Sequence, residues 1–172
     1  ASRCRTWNVS GRCRLRVKIK IVSIAGKLPN WVAEGVSDYE RRLPREIRLE
    51  WHTLPLAVRR KDRSAAQLNE IEGEGLLKHI KPDDYVIALD VKGRRETTEG
   101  WAQHWQTWLS LRQDILFLIG GPDGLDTRCL ARANLRLSLS DLTLPHALVR
   151  VVLIEQLYRA WSIGIGHPYH RA

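Results

Sequence analysis

Two short apolar runs constrain the fold more than any other feature of the sequence. Residues 85–90 read YVIALD and residues 115–119 read ILFLI, and neither run alternates apolar with polar residues. A strand that is apolar at every position is buried on both faces, which is typical of a parallel sheet covered by helices. Between the runs, Trp101, Trp105 and Trp108 recur at helical spacing. They predict a helix that packs its tryptophans into the core rather than a platform for stacked bases.

The rest of the chain alternates between the same two kinds of element. Period-two patterns and apolar runs indicate strands, whereas apolar residues three and four apart indicate helices. The strands are predicted at 17–22, 47–51, 85–90, 115–119 and 135–139, and the helices at 31–43, 65–76, 101–109, 127–133 and 147–163. This order predicts an α/β fold with an open, mostly parallel sheet and helices on both faces. We expect one domain over residues 17–172, preceded by a basic, disordered extension over residues 1–16.

The net charge says little about partners, because its distribution is uneven. The formal charge is +9, but the first twenty residues hold seven Lys or Arg and no acid. The body is therefore nearly balanced, and net charge alone is weak evidence for an RNA partner. Two basic patches occur in the body, at Arg59-Arg60-Lys61 and at Arg94-Arg95. The sequence leaves open whether they bind phosphate or only face solvent.

Cysteine and hydropathy patterns exclude several classes of protein. Cys4, Cys13 and Cys129 have no CxxC spacing, so neither a disulfide scaffold nor a structural zinc site is expected. His167 and His170 have no flanking acid, and we expect no metal site. No apolar run approaches the roughly 20 residues that span a bilayer. We therefore expect a cytoplasmic protein in a reducing compartment with no membrane partner.

Ligands of open parallel sheets bind beyond the carboxyl ends of the strands, which directs attention to three loops. These loops follow Asp90, Ile119 and Leu139. The second loop, GGPDG at 120–124, is neither a Walker A loop nor a GxGxxG fingerprint, and no GxSxG motif occurs. Glycines let a backbone approach a ligand, but a tight turn needs them too, so this loop alone leaves both readings open.

The C-terminal HPYHR sequence at 167–171 combines hydrogen-bond donors, an aromatic ring and a fixed cation. Such a tail can stack on a base and hold a phosphate. A polar, frayed terminus is the alternative interpretation.

Five segments together resemble a known family. They read LPNWVAEGVSDYERRLP, ALDVKG, FLIGGPDGL, LSLSDLTLPHALVRVVLIEQLYRAWSI and HPYHR, and they span nearly all of residues 17–171. In this order and spacing they resemble the bacterial large-subunit ribosomal RNA methyltransferases of the SPOUT superfamily. The resemblance implies an S-adenosylmethionine-dependent homodimer whose C-terminal part forms a deep trefoil knot. It implies methylation of N3 of a pseudouridine in a stem-loop of 23S ribosomal RNA, within the assembled ribosome.

The resemblance also implies site residues. The cofactor-binding set is Leu89, Gly120, Gly121, Leu139, Ser140, Asp141, Leu142, Thr143 and Leu144. For catalysis we predict His170 as the acceptor of the N3 proton and Tyr169 as a stacking or hydrogen-bonding partner. Arg171 and Arg159 are predicted to neutralise phosphate or an anionic base. Another RNA target, or a ribosome-associated RNA-binding protein without catalysis, remains as an alternative.

Overall fold

The computed structural model describes residues 17–171, except for the side chains of Val17, His170 and Arg171. The predicted extension over residues 1–16 lies outside the described residues. Five strands form one sheet in the order β2-β1-β4-β3-β5, and every neighbouring pair is parallel. The strands are β1 (Val17–Ile24), β2 (Ile47–Leu54), β3 (Tyr85–Arg95), β4 (Ile115–Ile119) and β5 (Leu135–Ser138).

Five α-helices cover the two faces of this sheet, so the predicted α/β class is confirmed. They are α1 (Asn30–Arg42), α2 (Ala65–Leu77), α3 (Thr98–Ser110), α4 (Thr127–Arg132) and α5 (His146–Gly164), followed by a 3₁₀ helix at Pro168–Arg171. Helices α1, α3 and α5 bury one face of the sheet, whereas α2 and α4 bury the other. The C-terminal knot that the resemblance implies stays a prediction.

The tryptophans of α3 are core residues, as predicted. Trp105 and Trp108 are 1% and 2% exposed. The ring of Trp101 stacks on Phe117 of β4 with centroids 6.4 Å apart, and Trp108 meets the same ring edge-on at 5.6 Å. Aromatic pairs in these arrangements add to the free energy gained by burying their area. The helix is therefore fixed against the sheet through β4.

A glycine inside α2 is explained by packing. Gly73 interrupts a helical pattern and lowers helix propensity. A Cβ at Gly73 would lie 2.8 Å from Cγ of Asp126, the residue that caps α4. The missing side chain therefore lets α4 pack closely on α2.

The third strand is longer than the sequence pattern predicts. The prediction ended this strand at Asp90, since Lys92-Gly93 is a turn signal, but β3 continues to Arg95. Leu137 of β5 pairs with both Leu89 and Arg94, so the residues between them bulge out of the ladder. A Cβ at Gly93 would lie 2.5 Å from the carbonyl carbon of Leu137. The prediction was wrong because this glycine serves a bulge in the strand rather than ending it.

A buried ion pair joins the middle of β1 to the amino ends of β3 and β4. Nζ of Lys20 on β1 lies 2.9 Å from Oδ1 of Asp84 and 3.3 Å from Oδ2 of Asp114. Lys20 and Asp84 are 5% and 4% exposed, and Asp84 also accepts a hydrogen bond from the Lys81 amide. Removing one member of a buried pair leaves the other charge desolvated and uncompensated.

We expect Asp84→Asn to lower the free energy of unfolding by about 3 kcal/mol, because Lys20 keeps its charge and loses its nearest counter-charge. Urea unfolding measures the change. Asp62→Asn is the control, since Asp62 is exposed and should alter the unfolding free energy by less than about 0.5 kcal/mol. Equal stabilities of the two variants would contradict a structural role for the pair.

Candidate active site

The register of the sheet brings the three predicted segments to its carboxyl end, where the segment after Asp90 is a bulged part of β3 rather than a loop. Leu89 of β3 pairs with Ile119 of β4 on one side and with Leu137 of β5 on the other. Neighbouring strands lie about 4.8 Å apart. Gly120 directly follows Ile119, and Leu139 comes two residues after Leu137. The predicted cofactor-binding residues of β3, β4 and β5 are therefore neighbours in the fold.

The glycine turn after β4 closes on itself. Gly121 and Gly124 form an isolated antiparallel bridge, and the Gly124 amide donates to the Gly121 carbonyl at 3.0 Å. Gly124 has φ of +90°, a conformation that L side chains rarely adopt. A Cβ at Gly120 would lie 2.6 Å from the carbonyl carbon of Gly124 and 2.9 Å from the amide nitrogen of Leu125. The first glycine of the turn thus has no room for a side chain.

Neighbouring elements hold this turn in place. Asp123 accepts a hydrogen bond from Nη2 of Arg59 at 2.7 Å, and its carbonyl accepts one from Nδ2 of Asn69 at 2.9 Å. Glu72 of α2 is 4% exposed, and its Oε1 accepts the Ala57 amide at 3.0 Å. These contacts tie the turn to α2 and to the segment that follows β2.

Glu72 was missed by the sequence reasoning. Its Oε2 has no hydrogen-bond partner within the described part of the chain, and it lies where a Cβ of Gly121 would be. The available signal was an acid between Leu68 and Leu76, four residues from each, on the buried face of α2. An acid at an apolar helical position is rare enough to mark a special environment.

The turn after β5 presents both apolar surface and backbone groups. Leu142 is 74% exposed. The Ser140 hydroxyl accepts the Leu142 amide at 2.9 Å, and Asp141 forms an ion pair with Arg95. Backbone groups of Thr143 and Leu144 form no hydrogen bond to other described residues, so they remain available to a ligand.

These features fit an adenosyl group. Its adenine needs apolar contact on its faces and hydrogen bonds at its edge. Leu89, Leu139 and Leu144 are half-buried at the edge where the three turns meet, and Leu142 is exposed beside them. The turns thus combine leucine surface with accessible main-chain donors and acceptors.

The C-terminal residues form a separate cluster on α5. The Tyr169 hydroxyl donates to Oε1 of Glu155 at 3.0 Å and lies 3.2 Å from the Tyr39 hydroxyl. The Arg159 guanidinium lies over the Tyr169 ring at 4.8 Å and donates to the same Glu155 oxygen at 2.6 Å. Tyr158 meets the Tyr169 ring edge-on, with centroids 4.7 Å apart.

These contacts define the protonation states of the cluster. Burial raises the pKa of Tyr169 well above its usual value, and the hydrogen bonds to Tyr39 and Glu155 raise it further. The hydrogen bond to Glu155 also raises the pKa of Arg159. Tyr169 is therefore a neutral donor rather than a base, and Glu155 compensates the charge of Arg159. The side chains of His170 and Arg171 lie outside the described part, so their predicted roles stay predictions.

The structure does not bring this cluster to the 139–144 turn within one chain. His146, the first residue of α5, follows that turn after Pro145, whereas Arg159 comes thirteen positions later on the same helix. At 1.5 Å per residue the two positions are about 20 Å apart along the helix axis. The predicted cofactor-binding and catalytic residues thus form two groups.

The first turns of α5 carry two further polar residues that sequence reasoning did not select. Arg150 is 6% exposed in a helix that is otherwise strongly apolar on its inner side. His146, one turn earlier, is half-buried, and burial lowers its pKa. Within residues 17–169, no group of three or more His, Cys, Asp and Glu side chains is arranged to hold a metal ion. No described helix is long and apolar enough to cross a membrane.

Comparisons with known proteins find consistent similarity. A family model described as "Predicted SPOUT methyltransferase" matches residues 17–170. The chain is 46% identical over 155 residues to the "Ribosomal RNA large subunit methyltransferase H" of Hahella chejuensis, covering 90% of this chain and 99% of that protein. Proteins of the same name from Saccharophagus degradans and Alkalilimnicola ehrlichii are 48% and 47% identical. They cover 90% and 91% of this chain and the full length of each relative.

We expect Gly120→Ala to weaken binding of S-adenosylmethionine at least about tenfold, because the new Cβ displaces the backbone of the 120–124 turn. Calorimetric titration measures the affinity. Gly75→Ala is the matched control, since its Cβ meets only Leu54 Cδ1 at 3.4 Å and the residue is helical. Unchanged affinity in a folded Gly120→Ala protein would remove this turn from the binding site.

Proposed function

The chain belongs to the SPOUT methyltransferase family, and from this premise we propose that it methylates large-subunit ribosomal RNA with S-adenosylmethionine as methyl donor. The proposed target atom is N3 of a pseudouridine in a 23S stem-loop, presented by the assembled ribosome. Relatives at 46–48% identity that carry the name ribosomal RNA large subunit methyltransferase H support this assignment. The observation that carries it is the meeting of the β3 bulge at 89–94 with the turns after β4 and β5 at the carboxyl end of the sheet.

The proposed binding roles follow from the chemistry of the three turns. Leu89, Leu142 and Leu144 would surround the adenine, and free main-chain groups at 143–144 would bind its edge. Gly120 and Gly121 would let the donor lie against the backbone. When bound, S-adenosylmethionine supplies an electrophilic methyl group that a nitrogen attacks directly, so the chain needs no covalent nucleophile. Its main contribution is to hold the two reactants in line.

The N3 proton of the base must leave before or during transfer. We assign its acceptance to the imidazole of His170, because a neutral histidine is a base near pH 7. The Tyr169 hydroxyl is held by Glu155 and has a raised pKa, so we do not assign it as the base and assign the adjacent His170 instead. Arg171 would stabilise the negative charge that develops on the base.

We further propose that the protein is a homodimer whose tail acts at the partner's turns. One chain holds Arg159 about 20 Å along α5 from the 139–144 turn, so the two groups of predicted residues do not meet within a protomer. A two-fold interface brings one subunit's tail beside the other subunit's turns without any distortion of the fold. The pocket would then be complete only in the dimer.

A methyl-transfer assay tests the function. Labelled S-adenosylmethionine is incubated with the protein and with ribosomes from cells that lack it, with free ribosomal RNA, or with transfer RNA. We expect label in the large-subunit RNA of ribosomes, mapped by mass spectrometry to N3 of one pseudouridine. Label in transfer RNA alone would assign another target, and binding of the donor without transfer to any RNA would support a non-catalytic RNA-binding protein.

Heterodimers test whether the tail acts on the partner. The assay uses a donor concentration well below the wild-type Kd, so that Gly120→Ala lowers occupancy of the proposed donor site at least about tenfold. His170→Ala removes the proposed base while sparing donor binding. A heterodimer of these two variants, purified through two different tags, keeps one complete composite site and should retain about half of wild-type turnover. Both homodimers should be nearly inactive. A heterodimer as inactive as the homodimers would place the tail at its own chain's turns.

A further inference from the structure

Arg150 is a buried cation without a counter-charge. Arg150 is 6% exposed, and its Nη1 donates a hydrogen bond to the Thr53 hydroxyl at 3.0 Å. The guanidinium lies 4.8 Å from the centroid of the Trp51 ring. These are its only side-chain partners within the described part of the chain. A guanidinium has five N–H donors, so most of its hydrogen-bonding capacity is unused.

No acidic side chain of the same chain forms an ion pair with this guanidinium. All 19 Asp and Glu residues lie among the described residues, and none forms an ion pair with Arg150. Burial lowers the pKa of Arg150, but a guanidinium keeps its proton at every physiological pH. Burying a cation without a counter-charge costs free energy. An oxyanion that supplies the opposite charge and accepts several N–H hydrogen bonds removes that cost.

The side chain to which Arg150 donates its hydrogen bond lies at the protein surface. Thr53, its hydrogen-bond partner, is an exposed residue at the carboxyl end of the edge strand β2. The guanidinium therefore lies just beneath the surface, at the carboxyl end of the sheet, where the glycine turn also lies. His146 precedes Arg150 by one helical turn, and the N-terminus of α5 has no side-chain cap. The positive end of the helix dipole adds to the local attraction for anions.

The chain that leaves Thr53 leads into a basic loop, defined here as residues 59–63. Arg59 is fixed on the glycine turn through Asp123 at 2.7 Å. Arg60 and Lys61 are exposed and form no ion pair with described residues, and Arg63 donates only to the Val58 carbonyl. Three cations without acidic partners therefore follow β2, the strand that carries both side-chain partners of Arg150.

We propose that Arg150 and the basic loop bind consecutive phosphates of the RNA substrate, with Arg150 receiving one phosphate just below the surface. This inference rests on the proposed function, because it assumes an RNA substrate. A polyanion is favoured over the carboxylate of the methyl donor for two reasons. Three more cations follow Thr53 within ten residues along the chain. In addition, β2 is three strand spacings, about 14 Å, from β3 and Leu89.

Arg150→Met tests the buried site, because methionine keeps similar volume and removes the charge. Binding to unmodified ribosomes is measured by filter retention at several salt concentrations. We expect affinity to fall about tenfold and the slope of log affinity against log salt to fall by about one. The affinity for S-adenosylmethionine should not change. Thermal stability should be equal or higher, since a buried uncompensated charge is gone.

Arg60→Ala with Lys61→Ala tests the loop, and we expect the salt slope to fall by about two. Arg45→Ala with Lys78→Ala is the matched control. Both of these cations are exposed, neither forms an ion pair with described residues, and both lie at the amino ends of the strands. The control variant should bind ribosomes with wild-type affinity and slope.

Three results would overturn the proposal. Weaker binding of S-adenosylmethionine by Arg150→Met would assign Arg150 to the donor's carboxylate. Loss of stability with unchanged ribosome binding would assign it a structural role. An equal loss of affinity in the control variant would show that charge alone governs binding. These binding measurements do not depend on turnover. If the wild-type protein binds RNA through Arg150 but transfers no methyl group, that result contradicts the proposed function and not the role of Arg150.

Discussion

The parallel pairing of β3 with β4 on one side and with β5 on the other is the constraint on which the candidate site depends. It makes Leu89 a direct neighbour of Ile119 and Leu137, so the β3 bulge and the turns after β4 and β5 lie side by side although they are distant in sequence. Two of these strands are buried on both faces, and the tryptophans of α3 fix β4 from one side. The sheet thus positions these turns, and open parallel α/β sheets bind their ligands at this end.

The fold was predictable from the sequence wherever a pattern was local. Continuous apolar runs located β3 and β4, and the spacing of Trp101, Trp105 and Trp108 located the buried face of α3. The strand order was not predictable, because it depends on contacts between distant segments. The predicted end of β3 was wrong for the same reason. Gly93 resembles a turn residue in the sequence, and only the structure shows that it packs against the backbone of Leu137.

The candidate site was predictable in its loops and not in its supports. The glycine turn and the 139–144 turn follow from strand ends and from the resemblance. The role of three supporting residues follows only from their contacts. Glu72 lies against Gly121, Arg59 donates to Asp123, and Arg150 donates to the exposed Thr53. The sequence pattern of one long apolar helix also gave no sign of the distance between the C-terminal cluster and the 139–144 turn, which is the reason for proposing a pocket shared between two subunits.

Hydrogen exchange of the protein with and without saturating S-adenosylmethionine tests the central claim most directly. The account predicts that amides at 89–93, 120–124 and 139–144 become protected together, while the amides beneath Tyr169 on α5 change little. Protection confined to another edge of the sheet, or no change in these three turns at saturation, would contradict it.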